Sequence, residues 1–232
     1  MPEMPTNDPN ADRLSRCGPQ PDQPGGSSDF AAPLGLSKRG RLIFAAGANQ
    51  VSLKAGRMRR ALYRARFPGP APHVWADADS LTIQYGHSPP SDAPAGSRRP
   101  SAEICLNNSI PWEIEFRNGV SGLQADLSGL QLRSLDLLGG ASHVELMLAK
   151  PAGTTFIYIS GGLSQGAFHR PSGVGMRIRV SGAVRELVFD DQHLDVMGGE
   201  TSLETPGFAG GACGYDIYIA GGASYVTIDK AA

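Results

Sequence analysis

The chain is poor in lysine, cysteine and aromatic side chains, and it has no long apolar run. Lysine occurs only at Lys38, Lys54, Lys150 and Lys230, so arginine carries most of the positive charge. The 21 basic and 22 acidic residues nearly cancel, leaving a net charge of −1. Without an excess of either sign, DNA is excluded as the expected partner. The three cysteines, Cys17, Cys105 and Cys213, make no C-x-x-C pair and no metal-ligand spacing. They read as incidental reduced thiols. No apolar stretch approaches the roughly 18 residues of a membrane span. The first residues, Met1-Pro2-Glu3-Met4-Pro5, have neither the basic nor the apolar region of a signal peptide. These absences lead to the expectation of a cytoplasmic protein.

Catalytic signatures are also missing. The sequence contains no G-x-S-x-G, no H-E-x-x-H and no P-loop. The densest polar cluster is Asp190-Asp191-Gln192-His193-Leu194-Asp195. Carboxylates beside an imidazole are the donor types for a divalent ion or for acid–base work. No second cluster supplies further ligands, and turn-forming Asp in a solvated loop explains the segment equally well. His143 and His169 have no sequence-adjacent partner either. The expectation is therefore no enzyme, no catalytic residue, no cofactor and no metal.

Glycine is abundant, with 30 residues, and it is placed periodically. Phe156-Ile157-Tyr158-Ile159-Ser160-Gly161-Gly162 returns as Asp216-Ile217-Tyr218-Ile219-Ala220-Gly221-Gly222. Leu135 to Leu146 repeats the same strand and corner, and Glu113 to Gly119 and Arg177 to Gly182 are looser copies. Gly119 to Gly140 is 21 residues, Gly140 to Gly162 is 22, and Gly162 to Gly182 is 20. A fixed period of this size marks a repeat architecture. Within each copy, apolar and polar residues alternate, as in Arg177-Ile178-Arg179-Val180.

Such short strands cannot stand alone. Stacked in register, they bury one continuous core. The pattern thus predicts an all-β fold, a single-stranded parallel β-solenoid (β-helix-like) with about 20–22 residues per coil. A β-sandwich is the competing architecture, but it calls for hairpin turns, and Asn118-Gly119 is the only such dipeptide.

The solenoid is expected over residues 40–230. Weaker copies lie at Arg41 to Leu53 and Val74 to Tyr85, and Glu103 to Leu106 reads as a further strand. Residues 1–39 are rich in Pro, Gly, Ser and Asp, and are expected to form a disordered N-terminal tail. Excursions are expected at 57–72, 87–101 and 190–213. In the first, Met58, Leu62 and Ala65 share one face of a predicted short helix over 57–67. Arg57, Arg59, Arg60, Arg64 and Arg66 decorate the rest, a candidate basic contact for anionic lipid or RNA. Tyr158 and Tyr218 occupy equivalent repeat positions. Coils stacked in register would place both on one candidate interaction face.

The repeated pattern of strand, Gly-Gly-Ala-Ser and strand resembles the toastrack domain. The residues that carry the resemblance are Leu135 to Leu148, Phe156 to Pro171, Met176 to Phe189 and Tyr215 to Ile228. That domain is the β-solenoid in the C-terminal region of LiaF-like proteins of the bacterial envelope-stress response. The resemblance implies a non-enzymatic interaction or scaffold module with no catalytic residues to carry over. This chain departs from the LiaF-like pattern in lacking membrane helices. The functional expectation is an adaptor or self-assembling module that binds a protein partner or its own copies. A carbohydrate-binding or carbohydrate-cleaving β-helix is the alternative. It requires carboxylates converging around Asp190, Asp191 and Asp195, or across Asp126, Asp136 and Glu145. Peripheral membrane or RNA binding through the 57–66 arginines is the third reading.

Overall fold

The computed structural model of the chain describes residues 27–46, 49–69, 71–86, 101–206, 208 and 213–231. They form nineteen strands. The first seven are β1 (Ser27–Pro33), β2 (Gly40–Ala46), β3 (Gln50–Gly56), β4 (Ala61–Pro68), β5 (His73–Ala76), β6 (Ser80–Gln84) and β7 (Ser101–Asn107). The middle six are β8 (Pro111–Phe116), β9 (Val120–Asp126), β10 (Gln131–Leu137), β11 (Ala141–Met147), β12 (Thr154–Ile159) and β13 (Leu163–Arg170). The last six are β14 (Gly175–Val180), β15 (Val184–Phe189), β16 (Gln192–Met197), β17 (Thr201–Glu204), β18 (Gly214–Ile219) and β19 (Ala223–Lys230).

Two sheets result. One runs β1-β4-β7-β3-β9-β11-β13-β19-β15-β16, the other β17-β14-β18-β12-β10-β8-β2-β6-β5. A coil is one strand of the second sheet followed by one of the first, such as β10 then β11. Neighbouring coils pair in parallel throughout. This is the solenoid that the repeat predicts.

Alternation decides what fills it. Leu81, Leu42, Ile114, Leu135, Ile157, Ile217 and Ile178 align across seven strands of the second sheet and are buried. The first sheet answers with Ile104, Leu53, Ala125, Leu146, Phe168, Ile228 and Phe189. Each large aliphatic chain so buried contributes about 1.5–3 kcal/mol. Phe44 stacks on Phe116 at 4.6 Å within the same core.

The corners explain the glycines. A Cβ on Gly161 would lie 2.7 Å from the Gly140 nitrogen, and one on Gly221 would lie 2.7 Å from the Gly161 carbonyl carbon. Gly182 meets Gly221 in the same way, at 2.7 Å. Backbone hydrogen bonds tie these corners along the stack, from the Gly221 N–H to the Gly161 carbonyl and from the Gly182 N–H to the Gly221 carbonyl.

A second irregularity recurs just past each corner. Gly122, His143, Gln165, Tyr225 and Glu186 all have positive φ, from 53° to 77°. Strand pairing skips each one, so they form a row of aligned bulges. All but Gly122 carry side chains that rarely adopt this conformation.

Several expectations need correction. Residues 61–68 are strand β4, and the predicted helix over 57–67 is absent. Antiparallel pairing with β1 and β7 overrides the helical spacing of Met58, Leu62 and Ala65. Val74 to Tyr85 is not a coil with an Ala-Asp corner but an antiparallel hairpin of β5 and β6. The segment 190–213 contains β16 and β17, which pair antiparallel at the end of each sheet. Residues 27–33, within the segment read as tail, form β1. The rest of the 1–39 reading up to residue 26, and residues 87–100, lie outside the described residues. Of the cysteines, Cys105 is disulfide-bonded, Cys213 is free and exposed, and Cys17 lies outside the described residues.

Coil order in space departs from chain order. The last coil, β18 and β19, sits between the coils of β12/β13 and β14/β15. Both ends of each sheet finish in antiparallel strands, β1 and β4 or β5 at one end, β16 or β17 at the other.

The corner geometry makes a direct prediction. Gly161→Ala and Gly221→Ala should each lose about 1–3 kcal/mol or more, because the obstacle is backbone. Gly153→Ala, where a Cβ meets nothing within 4 Å, should be near neutral. Urea denaturation monitored by circular dichroism makes the comparison.

Candidate interaction face

The outer surface of the second sheet collects side chains from seven strands into two rows. The first reads Glu204, Arg177, Asp216, Phe156, Ser134, Glu113 and Arg41 across β17, β14, β18, β12, β10, β8 and β2. The second reads Ser202, Arg179, Tyr218, Tyr158, Asp136, Glu115 and Ile43 on the same strands. The sequence placed Tyr158 and Tyr218 together, and they are register partners with rings stacked 5.8 Å apart. The Arg179 guanidinium lies 5.3 Å from the Tyr218 ring. The Tyr218 hydroxyl is 2.8 Å from the Ser181 Oγ.

One end of the face is organised by Asp216, a carboxylate 2% exposed. Arg177 Nη2 donates to its Oδ2 at 2.5 Å and Arg179 Nη2 at 3.2 Å. Burial alone would raise this carboxyl, but the Arg177 hydrogen bond and the two guanidinium charges outweigh burial and hold it below its ordinary range. At the other end, burial opposes Glu115 in the same way. Hydrogen bonds from Arg117 and Arg41, at 2.8 and 2.9 Å, prevail and hold it low. Asp136 goes the opposite way. Burial raises it, the neighbouring Glu115 and Glu113 charges add to that, and the Ser134 hydrogen bond only partly offsets it. Phe156, at 54% exposure, is the large apolar group at the centre.

The other residues singled out from sequence are not on this face. Arg64 and Arg66 lie on β4 in the first sheet, beside Cys105 and Glu103 of β7. Arg57, Arg59 and Arg60 are exposed in the segment before β4. The acidic cluster separates. Asp190 turns inward to Arg170, which is 2% exposed and donates to its Oδ2 at 2.5 Å and to the Val174 carbonyl at 3.0 Å. Asp191, His193 and Asp195 are exposed around the β15–β16 hairpin. Among the described residues no group of His, Cys, Asp and Glu is placed to hold a metal ion. Asp126 and Glu145 lie on strands of the first sheet and Asp136 on the second, so the carboxylates do not converge on one groove. Sequence reasoning missed Asp216, Arg177 and Arg179 as a unit. Asp216 lies in a different repeat from Arg177 and Arg179, and only the insertion of β18 beside β14 brings it to them.

Residues 73–167 match the N-terminal domain of toast_rack, DUF2154. Over those residues the chain is similar to the toast-rack domain, and the fold they belong to is a β-solenoid. No curated protein matches the sequence. Among solved structures, a candidate cell adhesion protein from Clostridium sporogenes superposes with a TM-score of 0.67 at 18% identity, over 89% of this chain and 99% of that one. At that identity the likeness shows the fold. A candidate adhesin from Bacteroides fragilis matches at 11% identity over 92% of this chain and 100% of that one, with a TM-score of 0.25.

Two predictions concern the ion pairs. Arg170→Ala should cost about 3–5 kcal/mol by leaving Asp190 without its cation, whereas Arg170→Met combined with Asp190→Asn should recover most of it in thermal unfolding. Asp216→Asn should cost roughly 1–2 kcal/mol at neutral pH, allowing for the partly exposed arginines. Because the Asp216 pKa is depressed, its contribution is full above the ordinary value of 3.8 and is lost as pH falls through the folded-state value. Denaturation between pH 7 and pH 2 should therefore fall more steeply for the natural chain than for the variant.

Proposed function

We propose that this domain is a non-enzymatic interaction module that presents the outer face of its second sheet to a protein partner or to another copy. The observation that carries the reading is the pair of aligned rows. Seven strands hold aromatic and charged groups in fixed register, with Phe156 exposed in the middle. Aromatic residues and arginine are the residue types enriched where protein surfaces meet. The similarity to a candidate cell adhesion protein is consistent with a binding role. At the two ends of the second sheet, β5 and β17 are only four residues long, and such short edge strands favour contact through a face over open-ended growth of the stack. Of the carboxylates named for the carbohydrate-cleaving alternative, Asp126 and Glu145 lie on the first sheet and Asp136 on the second, so those three do not face one groove.

A photo-reactive phenylalanine analogue at Phe156 tests this in the native cells. Protein adducts should form there and be several-fold weaker for the same analogue at Glu145, on the first sheet. Equal labelling at both positions, or none at Phe156, would overturn the proposal. The cytoplasmic location expected from sequence belongs to the same proposal. A disulfide such as that at Cys105 is at home in oxidising compartments, so cell fractionation with alkylation of reduced thiols decides between the two.

A further inference from the structure

The two rows have a symmetry that a generic binding face does not need. Read from β17 to β2, the first row is acidic, basic, acidic, Phe156, Ser134, acidic, basic. Reversed about Phe156, every charge at the four outer positions meets its opposite. Glu204 falls on Arg41 and Arg177 falls on Glu113. At the two inner positions Asp216 opposes Ser134, but Asp216 is 2% exposed and stays with its own arginines, so this pair adds no contact across the axis. In the second row, reversal about Tyr158 sets Arg179 on Glu115 and the Tyr218 hydroxyl on Asp136. Only Ser202 on Ile43 is indifferent.

We infer that this face pairs with the same face of a second copy, about a two-fold axis that runs along β12. The inference rests on the interaction-face reading above and names its partner. Reversal of strand order with retention of row identity is what a two-fold axis parallel to the strands produces. A two-fold axis along the stack instead would oppose β14 to β14 and set arginine against arginine, so the charges select the first arrangement. Two sheets packed in this way have aligned strands about 10 Å apart, the ordinary geometry of sheet-on-sheet packing.

The in-chain ion pairs are compatible with it. Arg41 and Arg117 hold Glu115, and Arg177 and Arg179 hold Asp216. Arg41, Arg177 and Arg179 each gain an acidic neighbour across the axis, while Asp216 keeps its own arginines. Glu113 and Glu204, which enter no ion pair within 4 Å among the described residues, gain one. Size limits the strength. Six strand spacings of about 4.8 Å and six residues of about 3.3 Å give roughly 600 Å² per copy. Two copies bury about 1,200 Å², the lower limit for a stable specific interface. The pair is thus weak and reversible, and it loosens with salt.

The axis passes between the two Phe156 side chains, which gives a decisive test on the full chain. Phe156→Asp and Phe156→Lys each place like charges against each other, while a mixture places opposite charges there. Sedimentation equilibrium should show a dimer for the natural chain, at least about tenfold weaker dimerisation for each variant alone, and recovery on mixing the two. Because Phe156 is exposed, both variants should keep the natural chain's unfolding midpoint, which confirms that they fold. A dimer insensitive to both variants, or no recovery on mixing, overturns the inferred axis. A natural chain monomeric up to about 1 mM overturns self-pairing. In that case adducts at Phe156 to a different protein would leave the interaction-face reading standing, and their absence would remove both.

Discussion

Everything in this molecule depends on how closely one glycine corner sits on the next. At Gly161, Gly221 and Gly182, the space for a side chain is already taken by the backbone of the adjacent coil. That approach sets the separation of coils on one edge and fixes their register. Register in turn aligns Ile114, Leu135, Ile157, Ile217 and Ile178 on the inside. A one-residue slip would turn that row outward and the arginines and carboxylates inward. The same constraint that builds the core therefore also writes the outer rows, residue against residue.

The outer rows show how a repeat can be uniform inside and specific outside. Inward positions repeat one chemistry because each must pack on its neighbour. Outward positions are free to differ, and here they differ in an ordered way. Asp216 holds two arginines at one end, and Arg41 and Arg117 hold Glu115 at the other, with aromatic rings between. Buried charge in these networks has little to add to stability once desolvation is counted. Its consequence is the fixed placement of each charged group.

Much of this was legible in the sequence because it is local. Strand, corner and strand recur within about 20 residues, and the alternation in Arg177 to Val180 tells inside from outside. The pairing of Tyr158 with Tyr218 followed from repeat position alone. What was not legible depends on contacts between distant segments. Residues 57–67 carry a helical spacing, but Arg64 and Arg66 alternate with Ala65 and Phe67 on a strand held by β1 and β7. The bulge residues His143, Gln165, Glu186 and Tyr225 share no side-chain type, so nothing in their identity announces a left-handed backbone. Coil order leaves no trace in any single repeat. Asp190 looked like a loop carboxylate, and its contact with Arg170 comes from the stacking of β15 beside β19, which in turn pairs with β13, the strand that ends in Arg170.

The insertion of the last coil bears on how the chain is assembled as it is made. Strands β14 and β15 emerge from the ribosome before β18 and β19, yet they reach the parallel stack only through those later strands. The preceding coils can close on one another during synthesis, since domains generally begin folding from the N-terminal side. The segment from β14 to β17 must wait with its apolar face unsatisfied until β18 and β19 arrive and slot between it and β12 and β13. Strands β18 and β19 thus act as a keystone: β14 and β15 join the stack only when these two are in place, and a ribosome that stops short of residue 214 releases a stack with one segment unattached.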